Sequence, residues 1–349
     1  MRHPRRSLVL ATATVSFCLL GTGVASATTG DTADRALESP DGAIELVEPS
    51  VLDGAVTIDA GDLTDGEVTV AAGSGTVTVP ADASDGLQLE TRDGAEVTVD
   101  LPFAAVASDG LATDSGVVAY DNGNDTSTVP VVKEDGGVQI TTTIASSDAP
   151  ERFVYGLDIP SGATLQQFDS GAVFVLDANG ALIVGAAPPW AKDAAGMDVP
   201  TWYEIDGTQL VQVVVHRTNR SVTYPVVADP FLGADLFSWT GYNRNGTYLG
   251  QTVISMLKST WGNAVWLGGV PTVGTIAAGQ YILQTSGWNE LVAKRPVADD
   301  KPSIQQQYDC HVLYGFNIAG AGVHWDLEKA RSNNSVWALQ DPRVHKCNW

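Results

Sequence analysis

From Val51 onward, apolar and polar positions alternate in short runs. Glu67-Val68-Thr69-Val70, Thr76-Val77-Thr78-Val79 and Glu96-Val97-Thr98-Val99 set valine against polar partners, with Gly, Asp and Ser between the runs. A period of two predicts antiparallel strands with one wet face. Further strands are predicted at 138–144, 153–159, 172–177, 181–185, 209–216 and 222–227. Asp177-Ala178-Asn179-Gly180, between two apolar runs, reads as a hairpin turn. Residues 104–135, rich in Gly, Asp, Asn, Ser and Thr, read as a long loop or weak strands. No segment of 51–230 repeats every 3.6 residues, so this region is expected to be β-sandwich-like. Residues 28–50 are small, acidic and aperiodic, and read as a flexible leader.

Beyond Asp229-Pro230 the pattern changes. Leu249, Val253, Met256 and Leu257 fit one face of a helix, although Gly250 and β-branched neighbours oppose it. Residues 259–289 carry no charge. Pro271 and six glycines interrupt them, which favours a buried strand region over a membrane-inserting segment. Asn289-Glu290 marks a helix start over 287–293, stopped by Pro296. Ser303 with Gln306 forms a capping box. Ile304, Tyr308 and Val312 then share a face, and Gly315 can end that helix. The expected fold class is mainly β: a sandwich-like region over 51–230, then a small, disulfide-closed α+β domain over 231–349.

Charge and tryptophan divide the chain at the same place. Residues 28–230 hold 33 acidic against 7 basic side chains, and 231–349 hold 8 against 9. Seven of the nine tryptophans lie beyond residue 231. So acidic a first part excludes nucleic acid as a partner, because phosphate binding needs Lys and Arg. It also opposes adsorption to anionic lipid. The oxygen-rich stretch Asp121-Asn122-Gly123-Asn124-Asp125 lacks the glycine and terminal glutamate of a calcium loop; no metal or cofactor is called for.

The N-terminus has the three parts of an export signal. Arg2, Arg5 and Arg6 form a basic head, Leu8 to Val24 an uncharged core, and Ala25-Ser26-Ala27 a cleavage site. Residues 1–27 are therefore expected to be removed, leaving a secreted, extracellular protein with no stable membrane span. Removal takes Cys18 away and leaves Cys310 and Cys347. An even pair in an oxidising compartment favours a disulfide, with two separate buried thiols as the alternative.

Candidate chemistry gathers in the C-terminal part. His311, Asp326, Glu328 and Arg331 are the candidate catalytic residues: a histidine oriented by a carboxylate can serve as a general base. His324, His345 and Asp309 lie nearby in sequence. No spacing is diagnostic, and no nucleophile motif is present. Glu328 and Arg331, three apart, also read as a local ion pair. Trp325 and Trp349, with Trp288 and Trp337, are candidate binding aromatics for an extracellular glycan or protein. A domain this small also needs tryptophan in its core, where Trp288 and Trp325 are expected, with Trp349 more exposed.

Two stretches carry a resemblance. Ile159-Pro160-Ser161-Gly162-Ala163, Ala187-Pro188-Pro189-Trp190-Ala191-Lys192-Asp193-Ala194, Val199-Pro200-Thr201, Tyr203-Glu204-Ile205-Asp206-Gly207 and Tyr224-Pro225-Val226-Val227-Ala228-Asp229-Pro230 resemble a shared N-terminal module of exported proteins from high-GC Gram-positive bacteria. Trp288-Asn289-Glu290-Leu291-Val292, Gln306-Gln307-Tyr308-Asp309-Cys310-His311, Trp325-Asp326-Leu327-Glu328, Arg331 and Cys347-Asn348-Trp349 resemble a C-terminal domain of unknown function in similar proteins. Lys329-Ala330 and the terminal Trp depart from that pattern. The first resemblance implies a module that carries or presents a variable tail. The second implies the domain and its disulfide, and no reaction. Together these readings favour a non-enzymatic binding protein, with an enzymatic or membrane-active effector or toxin as the alternative.

Overall fold

The computed structural model describes residues 39–91, 94–218, 221–267, 273–318 and 323–349. The expected signal over 1–27, and the leader up to residue 38, lie outside the described residues. The chain is mainly β, with three antiparallel sheets and a small helical C-terminal region closed by the Cys310–Cys347 disulfide.

The alternating valine runs become the first sheet. Its seven strands run in the order Glu67–Ala72, Gly75–Pro80, Leu87–Glu90, Glu96–Val99, Arg152–Asp158, Gln209–Val214, Thr201–Asp206. Val77, Val79, Leu87, Leu89, Val97, Val99, Phe153 and Leu157 point inward and are buried. They face Ile140, Ile144, Val173, Val175, Val184 and Leu232 of a ten-stranded sheet centred on Val138–Ile144. Two sheets facing across one aliphatic core make the predicted sandwich.

The second sheet is covered on both faces, which its sequence hides. Every residue of Val138–Ile144 is buried, including Thr141, Thr142 and Thr143. Part of the cover is a helix, Pro40–Val47, where a flexible leader was expected. Ser39 caps it by accepting from Gly42 N at 3.2 Å, and Pro40 and Asp41 suit its first turn. Ile44 and Val47, with Val51 just beyond the helix, pack on Val117, Val129, Val131 and Val227. Only two large apolar residues of this helix face the sheet, too few to show a period. The stretch 104–135 is also more regular than expected, with strands at Val118–Asp121 and Thr126–Val132. Its oxygen-rich turn is a hydrogen-bonded hairpin connection: Asn122 Nδ2 donates to Thr126 Oγ1 at 2.9 Å, and Ser146 Oγ donates to Asp125 Oδ2 at 2.7 Å.

The rest of the cover is the C-terminal region. The strand Phe231–Gly233 pairs within the sandwich sheet, so the architecture changes three residues after the charge break. A third sheet follows, in the order Phe237–Tyr242, Val253–Lys258, Trp325–Glu328. Val253–Lys258 is therefore a strand and not the helix that Leu249, Val253, Met256 and Leu257 suggested. As the central strand it is buried on nearly every side chain, which blurs its alternation.

The uncharged stretch expected as buried strand is helical, over Thr260–Leu267 and Val273–Ile282; residues 268–272 of it lie outside the described residues. Ser259 Oγ accepts from Gly262 N at 2.8 Å, and Asp135 Oδ2, from the sandwich, accepts from Thr260 Oγ1 at 2.8 Å. A run without charge has no polar face, so periodicity cannot separate buried helix from buried strand. No helix among the described residues is long and apolar enough to cross a membrane. A π-helical turn, Leu283–Gly287, leads into the expected helix Trp288–Lys294.

The last long helix spans Pro302–Ile318, and two of its sequence signals serve other ends. Ser303 Oγ donates to Arg331 O at 2.9 Å, and Gln306 Oε1 accepts from Asn334 N at 2.8 Å, so both hold the 331–334 loop instead of forming a capping box. Gly315 does not end the helix. A Cβ there would sit 3.3 Å from Trp325 Nε1 and 3.5 Å from Trp266, so glycine permits close packing of the indoles.

The two regions share one core. Phe174, Phe231, Ala172 and Ala187 of the sandwich pack with Leu236, Phe237, Trp261, Val265 and Trp325. Phe174 and Trp261 rings lie 5.9 Å apart. At Gly233 a Cβ would come within 2.6 Å of the Trp261 ring, so only glycine lets the indole reach the sheet.

Candidate functional site

The bridge between Cys310 and Cys347 ties the long helix to the end of the chain, with Cα atoms 5.4 Å apart and both residues buried. The tail that it holds is otherwise short of regular structure: one 3-10 turn at Trp337–Leu339 and one helical turn at Pro342–His345, capped by Asp341. Tryptophans organise it. Trp337 and Trp349 stack with centroids 6.3 Å apart and planes 6° from parallel. His345 meets Trp349 edge-on at 5.6 Å, and Tyr314 meets Trp337 edge-on at 6.4 Å. Trp349 Nε1 donates to Ser332 O at 3.0 Å. Trp349 is half-buried. The same tail exposes Leu339 at 86%, Val344 at 81% and Val336. Asp341, Arg343 and Lys346 lie among them in sequence, and Arg343 pairs with Asp341 at 2.9 Å.

The four candidate catalytic residues do not form one site, because the third sheet divides them. Along Trp325–Glu328 alternate side chains point to opposite faces. Trp325 and Leu327 enter the core, and Asp326 and Glu328 remain half-buried. Trp325, proposed as a binding aromatic, is 2% exposed and packs against Phe237, Trp266 and Tyr308. It is a core residue, as is Trp288. His311 lies inside as well, stacked on Trp325 at 5.6 Å with planes 13° apart. Burial pushes its pKa down to about 4, against the opposing pull of the Asp326 charge. Asp326 Oδ1 accepts from Ser255 Oγ at 2.5 Å, and its other oxygen lies 3.6 Å from Arg244. Glu328 pairs with Arg331, which also lies 4.1 Å over the Tyr248 ring. The local ion-pair reading of Glu328 and Arg331 is the one seen.

Two groups of functional interest escaped sequence reading. Lys258 ends the central strand, is 4% exposed, and rests over two indoles, 4.0 Å from the Trp325 centroid and 4.2 Å from that of Trp266. Among the described residues its Nζ has no hydrogen-bond partner, nor has the Nε2 of His311. Cation–π contact replaces part of the lost hydration, but burial still pushes the Lys258 pKa down to about 7. The available signal was a lysine at an inward strand position, in step with Ile254 and Met256.

The second group joins the two regions. Lys294 Nζ donates to Glu290 Oε1 at 2.7 Å and to Asp235 Oδ1 at 2.9 Å. Glu290 also accepts from Leu236 N at 2.7 Å and Phe237 N at 3.0 Å. Asp235 accepts from Ser74 N at 3.1 Å, across to the sandwich. Burial raises the Glu290 pKa to about 7, although Lys294 opposes the shift. The four-residue spacing of Glu290 and Lys294 was visible in the sequence; their partner Asp235, more than fifty positions away, was not.

Fold and site together define a two-region protein: an acidic β-sandwich whose outer face floors a small, disulfide-closed domain. Residues 259–348 of that domain match a family described as "Protein of unknown function (DUF2599)". The match takes in both cysteines, the long helix, the strand Trp325–Glu328 and nearly all of the tail. No curated protein matches the chain.

Proposed function

We propose that the protein is secreted and non-enzymatic, and that its C-terminal domain binds a wall glycan or protein partner outside the cell. One observation carries this reading: the tail pinned by the disulfide exposes Val336, Leu339 and Val344 in the same short segment that holds the stacked Trp337 and Trp349. Aromatic and aliphatic groups inside a polar rim are what protein interfaces share, and exposed leucine and valine add little to a sugar ring. Within the pair of partner classes, a protein is therefore the better fit. The non-enzymatic reading is supported by the burial of His311 against Trp325, on the core side of the strand whose other face carries Asp326 and Glu328. A histidine titrating near 4 is also a poor general base at neutral pH, far from the matched pKa that proton transfer favours.

The test uses the oxidised full chain and an envelope fraction of the producing cells. Co-sedimentation should be lost when the fraction is first treated with protease, and lost in the double variant Leu339→Ser, Val344→Ser. Binding that survives protease would move the partner to glycan. Undiminished binding by the double variant would remove the tail as the contact face.

One observation favours the second reading, an effector or toxin with an enzymatic or membrane-active C-terminal domain. Lys258 and His311 flank Trp325, the Nζ of one and the Nε2 of the other without a hydrogen-bond partner among the described residues, and perturbed titratable groups gather at functional sites. Expressing residues 28–349 inside a bacterium tests it. A growth defect relieved by Lys258→Met or His311→Ala would support it, and normal growth would count against it.

A further inference from the structure

A cleft of about 530 Å³ opens where the C-terminal domain meets the sandwich. Its volume falls in the range of small-molecule sites, about 300–1,000 Å³. The floor comes from the sandwich: Pro160, Ala181, Leu182 and Ile183. The far wall is one helical face, Ser286, Asn289, Glu290 and Ala293, which runs across the junction of the π-turn with Trp288–Lys294. π-turns inside helices recur at functional sites. Asp177 and Asp235 complete the polar lining with Thr91.

The polar groups divide into two kinds. Asp235 and Glu290 are engaged by Lys294 and by backbone N–H groups, and fix the wall. Ser286 and Asn289 use neither side chain in a hydrogen bond to the described residues. Asp177 spends one oxygen on its own turn, accepting from Asn179 N at 2.8 Å and Ala181 N at 2.7 Å, and its second oxygen has only a 3.4 Å contact with Asn179 Nδ2. Three carboxylates line the cleft, and Lys294 offsets one.

We infer that this cleft is a binding site for a small ligand that carries a primary ammonium group on a compact, partly apolar body. The ammonium sits against the second oxygen of Asp177 in place of the Asn179 contact, the Asn289 amide and Ser286 hydroxyl take polar groups of the body, and the aliphatic floor takes its apolar face. The negative field of a walled cleft concentrates cations in it. The site is separate from the tail surface, so its failure leaves the proposed partner binding standing.

Calorimetric titration of the oxidised full chain tests the inference with two matched pairs: glucosamine against glucose, and 5-aminopentanol against pentane-1,5-diol. Saturable binding of an amine is expected, with its neutral counterpart weaker by about tenfold or more. Glucosamine alone would identify an amino sugar, and 5-aminopentanol alone an alkylammonium ligand such as a lysine side chain. Asp177→Asn keeps the turn acceptor and removes the charge, so it should weaken amine binding by about tenfold. Asn289→Trp, at an exposed helical position, should block the cleft and abolish binding. Equal binding of amine and neutral counterpart, no saturable amine binding, or full binding by Asn289→Trp would each overturn the assignment.

Discussion

The sandwich and the C-terminal region keep their cores dry with different material. Between the two large sheets the core is mostly valine, leucine and isoleucine, supplied by hairpins of neighbouring strands and by long-range pairs such as Glu96–Val99 with Arg152–Asp158. The C-terminal core is built from Trp261, Trp266, Trp288, Trp325, Tyr308 and Phe237, and it encloses the Nζ of Lys258 and the Nε2 of His311 with no hydrogen-bond partner among the described residues. An aliphatic sandwich of this size buries enough surface to stand alone. The smaller region carries costs that it must offset elsewhere, and it does so from two sides. One side is the sandwich, whose Phe174 and Gly233 receive Trp261; the other is the disulfide that holds its tail. Tryptophan content here is a packing requirement first, and the proposed recognition surface is confined to the tail.

The comparison breaks most readily at the seam. Trp261→Ala deletes a fully buried indole from the shared core and should cost about 5 kcal/mol. Urea unfolding should then show the C-terminal region lost at low denaturant while the sandwich transition stays in place. A single, barely shifted transition would mean that the two cores are not joined through this residue.

Next in size is the disulfide. Its cysteines are 37 positions apart, so the chain-entropy model assigns it about 4 kcal/mol. Cys347→Ser should lower the melting temperature of the C-terminal transition and open the tail to trypsin at Arg343 and Lys346. Unchanged proteolysis would show that the tryptophan stack holds the tail alone.

Lys258 separates the regions by pH. Its folded pKa, near 7, lies below the ordinary 10.5, so between these values the unfolded chain binds more protons than the folded one. Lys258 therefore makes stability rise with pH across that window, and its penalty is fully present below about pH 7. Lys258→Met should flatten this rise and stabilise the protein most at the acid end. His311, pushed down to about 4, adds a rise between about pH 4 and its ordinary 6.5, which His311→Phe should remove. Denaturant midpoints across pH 4–10 read both effects; equal slopes in wild type and variants would contradict the burial assigned to these groups.

The smallest effect on stability is expected at the tail surface. Leu339→Ser with Val344→Ser should change unfolding free energy by no more than about 0.5 kcal/mol, because both side chains face solvent. Partner binding should nevertheless be lost, which separates contact from folding.

The strands of the sandwich were legible because their wet faces are threonine and glutamate, which leave a clean period of two. The double cover over Val138–Ile144 was not, since covered strands lose that contrast and the covering helix shows only two large apolar side chains to the sheet. The same loss of contrast disguised Thr260–Leu267 and Val273–Ile282, where an uncharged run offers no polar face. At the candidate site the disulfide was readable from the two cysteines that lie outside the expected export signal. Trp325 was readable in part: a domain this small needs tryptophan in its core, which placed the indole there, although it was also a candidate binding residue. The contacts of Lys258 and Asp235 were out of reach, because they join strands, helices and sheets whose order only the tertiary structure sets.

Shared construction is the central claim, and the isolated C-terminal region tests it most directly. Residues 231–349, oxidised and studied by near-ultraviolet circular dichroism during urea unfolding, should lack fixed tryptophan packing and unfold without cooperativity. A soluble fragment with native-like aromatic signals and one sharp transition would contradict it.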